Sequence, residues 1–289
     1  MVAVRPDYYG RIAAAAGAPV KRMDPISSSS SASVYRTELV DGGLVAVKIA
    51  DPETGRLQVE GAMLDDLARA SRLPVPRNLY AAPELLVMSW IDTDGDGLTP
   101  AAQRHAAELL AELHGASAPR FGYDRDTLIG GLAQPNGWME SWRDFFAERR
   151  LLFMARAAHE ADRLSAATLA RVERLAGRLE RWIADDTVPS LIHGDMWGGN
   201  VLTRGDRIAA FVDPALYFAD AEIELAFATL FDTFGTPFFA RYGELRPLRE
   251  GFFEERRDLY NLYPLLVHVR LFGGGYVAAV ERSLTRYDV

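Results

Sequence analysis

The stretch Leu191-Ile192-His193-Gly194-Asp195-Met196-Trp197-Gly198-Gly199-Asn200 decides how this chain is read. A short apolar entry ends in a His-Gly-Asp turn, and four residues separate Asp195 from Asn200. Beyond it, Phe211-Val212-Asp213-Pro214 places a second acid at the end of another apolar run. Between the two, Arg204-Gly205-Asp206-Arg207 reads as a turn joining two short strands. The resulting hairpin folds Asp195, Asn200 and Asp213 towards one another. A carboxylate near an attacking hydroxyl, with an Asn and an Asp as hard oxygen ligands for Mg²⁺, is the set that phosphoryl transfer requires.

The 289 residues suit one large domain or two lobes. With 49% apolar and 25% charged residues the composition is that of a globular protein. No apolar run approaches the roughly 20 residues of a membrane span, and no basic-then-apolar export signal opens the chain. A cytoplasmic protein with no membrane association is the expectation, as monomer or homodimer. The absence of cysteine excludes disulfides and thiolate chemistry. A net charge of −8 argues against nucleic acid as a partner. Of the 32 basic residues only Lys21 and Lys48 are lysines, which singles out Lys48.

Working outward towards the N-terminus, Asp7 to Ala16 reads as a helix and Val20 to Ile26 as a strand. Ser27-Ser28-Ser29-Ser30-Ser31-Ala32-Ser33 follows, then two more strands, Val34 to Leu39 and Leu44 to Ala50, around an Asp41-Gly42-Gly43 turn. A serine tract is ordinarily a flexible linker. Between two strands of one sheet it reads instead as a loop whose small side chains, Ser28, Ser29 and Ser30 among them, let backbone N–H groups approach a phosphate. Val45-Ala46-Val47-Lys48 resembles the strand lysine of protein-kinase-like phosphotransferases, which contacts nucleotide phosphates. Alone, Lys48 would be a strand-end surface lysine. Glu60, on a helix predicted from Gly55 to Ala70, is placed to pair with it. Val75 to Ala81 and Glu84 to Ile91 complete five strands, the last carrying Ser89 and Ile91 as the adenine-binding hinge.

Asp92-Thr93-Asp94-Gly95-Asp96-Gly97 is the clearest break in composition. It lacks the later Glu and flanking helices of a calcium loop and reads as an acidic linker. The expected organisation is α+β and bilobal: a five-stranded antiparallel nucleotide-binding lobe over 1–91, a hinge over 92–98, and a mainly helical lobe over 99–289. Helices are predicted from Thr99 to His114, Ser141 to Ala158, Ala166 to Asp185, Asp220 to Phe234 and Phe252 to Phe272. In this frame Asp195 orients the substrate hydroxyl and accepts its proton, and Asn200 and Asp213 hold Mg²⁺. His193 braces the loop. After Asp213-Pro214-Ala215 a helix begins within about seven residues, which leaves no room for an activation loop. A small-molecule acceptor follows.

The chain resembles the fructosamine kinase (ketosamine 3-kinase) family of the aminoglycoside-phosphotransferase-like group. The resemblance lies in the 193–200 loop with Trp197, in Phe121-Gly122 and Gln134-Pro135-Asn136-Gly137-Trp138 with Trp142, Phe145, Phe146 and Arg150-Leu151, and in Asp213-Pro214-Ala215 with Tyr217. Leu259-Tyr260-Asn261-Leu262-Tyr263 with His268, Leu271-Phe272-Gly273 and Tyr276 extends it to the C-terminal helices. It implies a protein-kinase-like fold and ATP- and Mg²⁺-dependent phosphorylation of the 3-hydroxyl of free or protein-bound ketosamines, which then shed their amine. Trp197, Trp138 and Tyr217 are the residues it suggests for substrate contact; Trp197 and Trp138 also read as core tryptophans. Ala219, Ala221 and Val267 stand where the family tends to carry Gly, Arg and Asn. Two alternatives remain: a kinase of the same fold for an aminoglycoside, choline or another sugar, and a non-catalytic nucleotide-binding module.

Overall fold

A computed structural model describes residues 4–28, 32–95 and 97–289. Ser29 and Ser30 of the expected phosphate loop lie outside the described residues. Helix α1 (Pro6–Ala16) precedes strands β1 (Val20–Ser28), β2 (Ala32–Leu39) and β3 (Leu44–Ala50), then helix α2 (Leu57–Ala70) and strands β4 (Asn78–Ala82) and β5 (Leu85–Ser89). The five strands form an antiparallel sheet in the order β1-β2-β3-β5-β4.

Alternation along β3 decides which residue faces which helix. Val45, Val47 and Ile49 pack with Tyr8 and Ile12 of α1 on one side. On the other side Ala50 of β3, with Leu86 and Met88 of β5, packs against Leu57 and Leu64 of α2. Lys48 shares the second face, so strand pleat alone turns its side chain towards α2 and Glu60.

The described residues between β5 and the next helix have neither helix nor strand, and we place the division between lobes there. Helix α3 (Pro100–Leu113) starts with a Thr99 cap on the Ala102 N–H at 3.2 Å and a first-turn proline. A two-stranded hairpin, β6 (Thr127–Ile129) and β7 (Leu132–Gln134), turns at Gly130 and Gly131. Both glycines take positive φ, 54° and 84°, as a two-residue hairpin turn demands. The helical run that follows comprises α4 (Trp142–Phe145), a π-helical segment Phe146–Leu152 and α5 (Phe153–Glu160). Next come α6 (Ala166–Ala176), β8 (Ser190–Ile192), β9 (Val201–Arg204), β10 (Arg207–Phe211) and β11 (Tyr217–Ala219). Helices α7 (Ala221–Leu230), α8 (Thr236–Leu245), α9 (Arg257–Phe272) and α10 (Gly275–Arg286) complete the chain. One large apolar core fills this helical lobe.

The architecture is the expected α+β, bilobal, kinase-like one. Several elements differ in detail. The helix expected to reach Asp185 stops at Ala176, where Gly177 caps it. The β6–β7 hairpin, α8 and α10 were not anticipated. No helix among the described residues is long and apolar enough to cross a membrane.

Candidate active site

The 191–200 stretch is held from behind by close backbone packing. β8 pairs with β11, Ile192 opposite Tyr217, and the Ala215 N–H donates to the His193 carbonyl at 2.8 Å. Gly194 adopts φ +87°, and a Cβ there would stand 2.1 Å from the Ala215 carbonyl oxygen. Only glycine permits this approach. From α7 the buried Glu224 accepts the Gly194 N–H at 2.7 Å and bonds His114 Nε2 at 2.7 Å, while His114 Nδ1 meets the Tyr242 hydroxyl at 2.8 Å. Burial alone would raise Glu224; its bonds to His114 and Gly194 hold it below the usual carboxylate range.

Strands β9 and β10 then return the chain to the same place, and the Val212 N–H donates to the Asn200 carbonyl at 3.0 Å. Asn200 Nδ2 donates to the Asp195 carbonyl and to Asp195 Oδ2, both at 2.9 Å. Both partners are acceptors, so the amide nitrogen must face them, and Asn200 Oδ1 keeps its lone pairs free of any described partner. Asp213 sits in the left-handed region at φ 56° and accepts from Lys48 Nζ. Lys48 also donates to Glu60 at 2.7 Å. The five predicted residues therefore converge: Lys48, Glu60, Asp195, Asn200 and Asp213 all line one cleft of about 850 Å³.

The electrostatics are those of a cation shared by too many acids. Burial would depress Lys48, but the carboxylates of Asp213 and Glu60 outweigh it and raise its pKa. Burial, with the charge of Asp213, pushes Glu60 up to about 7 against the pull of Lys48. Burial and the neighbouring Asp213 likewise push Asp195 up to about 7, against the Asn200 hydrogen bond and Lys48. Around Lys48 the carboxylates of Glu60, Asp195 and Asp213 outnumber the cations. Among the described residues no three His, Asp or Glu side chains form a metal-binding cluster. The oxygen donors are Asn200 Oδ1 and the Asp213 carboxylate. That set fits Mg²⁺, which is held by one or two protein oxygens together with substrate phosphates and keeps several waters.

The remaining predicted residues divide. Ser27 and Ser28 line the cleft, and the Ser28 and Ser33 hydroxyls are 3.1 Å apart. Trp197 lines it as well, with 43% of its surface exposed. Ser89 is a correction: its N–H donates to the Arg77 carbonyl at 3.0 Å and its hydroxyl accepts the Arg77 N–H at 2.9 Å, so the residue just before edge strand β4 occupies its N–H. Neither Ser89 nor Ile91 lines the described cleft. The Ile91 backbone groups make no hydrogen bond to a described residue. Tyr217 is a second correction. It is fully buried, with the Arg150 guanidinium 3.8 Å from its ring centre. Trp138 is a third: half-buried, it packs on Phe218 and Tyr123 away from the cleft. Ala219 and Val267 are likewise core residues, so they cannot tune an acceptor directly. His193 is buried and braces the loop, accepting the Asp195 N–H on Nδ1 at 3.4 Å.

Sequence reasoning missed the opposite wall. The β6–β7 hairpin reaches the cleft with Leu128, Gly130, Gly131 and Leu132, beside Leu271 of α9. Gln134, at its base, donates to the Ala215 carbonyl at 3.0 Å and accepts from the Tyr263 hydroxyl at 2.7 Å. Gly130-Gly131 between apolar residues was the available signal for this hairpin. Arg56, at the start of α2, also lines the cleft.

The sequence profile of the family described as fructosamine kinase matches residues 16–288. A probable ketoamine kinase of Synechocystis is 35% identical over 236 residues, covering 78% of this chain and 77% of the relative. A solved structure from Thermobifida fusca, assigned as a fructosamine-3-kinase, superposes with a TM-score of 0.83 at 33% identity, over 96% of this chain and 98% of that one. An ADP-bound aminoglycoside phosphotransferase shares the fold with a TM-score of 0.66 at 14% identity, over 97% of each chain.

Proposed function

The chain belongs to the fructosamine kinase family, and from that membership we propose that it transfers the γ-phosphoryl group of ATP to the 3-hydroxyl of a ketosamine, a ribulosamine or fructosamine adduct. The observation that carries this reading is the convergence of Lys48, Asp195, Asn200 and Asp213 on one cleft. A non-catalytic nucleotide-binding module has no need to keep all four.

Asp195 takes the role of base. The sugar C3–O–H oxygen forms a bond to the γ-phosphorus as the bond from that phosphorus to the bridging oxygen of ADP breaks. The hydroxyl proton passes to the Asp195 carboxylate, which Asn200 Nδ2 holds in place. Asn200 Oδ1 and Asp213 would hold Mg²⁺, which when bound neutralises charge on the phosphates. Lys48 contacts the α- and β-phosphates with Glu60 fixing its ammonium. Ile91 does not line the cleft itself, but its backbone groups, without a hydrogen-bond partner among the described residues, are offered to an adenine edge that extends beyond it. Trp197 offers its face to the sugar's C–H surface. The 3-phosphate is then a leaving group one carbon from the ketone, and its loss followed by hydrolysis frees the amine.

The test is ATP consumption against free and protein-bound ribulosamines and fructosamines, with aminoglycosides and choline alongside. Turnover restricted to ketosamines is expected. Turnover of another alcohol with none on any ketosamine would overturn the substrate assignment while leaving the phosphotransferase.

A further inference from the structure

A chain of aromatic rings leaves the mouth of the cleft and crosses the helical lobe. Trp197 stands edge-on to Phe231, just after α7, with centroids 6.5 Å apart. Phe231 meets His268 of α9 at 5.1 Å, and His268 meets Phe272 at 5.7 Å and Tyr276 of α10 at 4.8 Å. His268 and Tyr276 are half-buried, Tyr276 against the core, while Trp197 and the two phenylalanines are exposed. Phe231 is 37% and Phe272 58% exposed. Single exposed apolar residues are ordinary, whereas a contiguous exposed run of large ones marks a surface that binds something. This run is continuous with the cleft, because Trp197 and Leu271, the residue before Phe272, both line it. His268 Nδ1 bonds the Pro264 carbonyl at 2.7 Å, which fixes the ring, and burial lowers its pKa against the pull of that bond.

We propose that this ridge receives the amine half of the ketosamine and favours adducts of amines that carry an aromatic substituent near the nitrogen. The inference rests on the reading above, in which the C3 hydroxyl meets Asp195. In such an adduct the nitrogen is three covalent bonds from C3, which sets it beside Trp197, two residues along the loop from Asp195. A secondary ammonium there faces an aromatic surface, a favourable cation–π pairing. The substituent on the nitrogen varies in size from one adduct to the next and must leave towards solvent. The aromatic ridge walls that exit. A polyol tail, by contrast, needs hydrogen-bond partners that the rings of Phe231 and Phe272 do not supply.

The experiment compares kcat/KM for two ketosamines of one sugar, the adduct of the phenylalanine α-amine and that of glycine. An aromatic pair contributes about 1 kcal/mol, so a preference of roughly fivefold to tenfold for the phenylalanine adduct is expected. In Phe231→Ala and in Phe272→Ala that ratio should fall to near one. Because both adducts are assayed on the same preparation, a partly unfolded fraction cancels from the ratio. Equal kcat/KM on the two adducts in the wild type, or an unchanged ratio in both variants, overturns the ridge and leaves the reaction standing. Turnover of neither adduct, nor of any other ketosamine, removes the reaction and the ridge together.

Discussion

The hydroxyl of Tyr123 donates to the carboxylate of Asp66 at 2.9 Å, and the bond crosses from the helical lobe to the sheet lobe. Arg125 donates to the same carboxylate oxygen. Asp66 lies six residues after Glu60 on α2. The helix that presents Glu60 to Lys48 is therefore fastened to the other lobe at its far end, without any activation segment. Asp66→Ala should release α2, lowering kcat/KM for ATP by about tenfold, or roughly 1.4 kcal/mol. Tyr123→Phe, which spares Arg125, should cost about threefold or less. Steady-state kinetics with varied ATP decides it: an Asp66→Ala enzyme with unaltered ATP kinetics would show the contact to be packing alone.

Asp195→Asn keeps the shape of the loop and removes the proposed proton acceptor. Turnover should fall by at least about 10³-fold while the Kd for ATP changes by no more than roughly threefold. Single-turnover kinetics and calorimetric titration measure the two quantities separately. Near-normal turnover would end the assignment of Asp195 as base.

The same carboxyl makes stability depend on pH. Its folded pKa of about 7 lies above the unfolded 3.8, so the folded state holds the proton more tightly. The stability associated with it is fully present below pH 3.8 and is lost as pH rises through 7. Asp195→Asn should therefore match the wild type near pH 4 and exceed it at pH 8. A shift of that size would be about 4 kcal/mol for a sealed site; with the carboxylate on an open cleft, roughly 1–2 kcal/mol is expected. Thermal melts at the two pH values give the comparison, and a wild type as stable as the variant at pH 8 would refute it.

Gly194 and Gly205 share positive φ, +87° and +55°, but differ in surroundings. A Cβ at Gly194 meets the Ala215 carbonyl, whereas one at Gly205 meets open space. Gly205→Ala should cost about 1 kcal/mol and retain activity. Gly194→Ala must move either the catalytic turn or the segment after Asp213. A loss above about 2 kcal/mol with near-complete loss of turnover is expected. Equal melting temperatures for the two variants would contradict this account.

The sheet was legible because its strands carry their signals locally. Leu44 to Ala50 is rich in β-branched residues, and Gly205-Asp206 marks the turn of the catalytic hairpin. Lys48, Asp195, Asn200 and Asp213 stood out in the sequence because the chemistry proposed for them constrains their spacing. Other features depend on what lies across the fold. Asp66 and Glu224 sit on helices where a solvated acid looks the same in sequence, and only tertiary packing buries them. Trp138 and Tyr217 were misplaced for the converse reason: an aromatic near a catalytic loop gives no sign of which face it turns. The β6–β7 strands, three residues each, are too short for any period to show.

The scarcity of lysine has a consequence for the protein's own chemical ageing. Reducing sugars condense with the unprotonated amines of proteins, and this chain offers them two side-chain amines, Lys21 and Lys48. Lys48 is buried, doubly ion-paired and held protonated, so its lone pair is withheld from any carbonyl. Lys21 stands in the open, with 60% of its side chain exposed beside Glu38. A chain proposed to act on glycated amines thus presents a single exposed lysine at which it can itself be glycated.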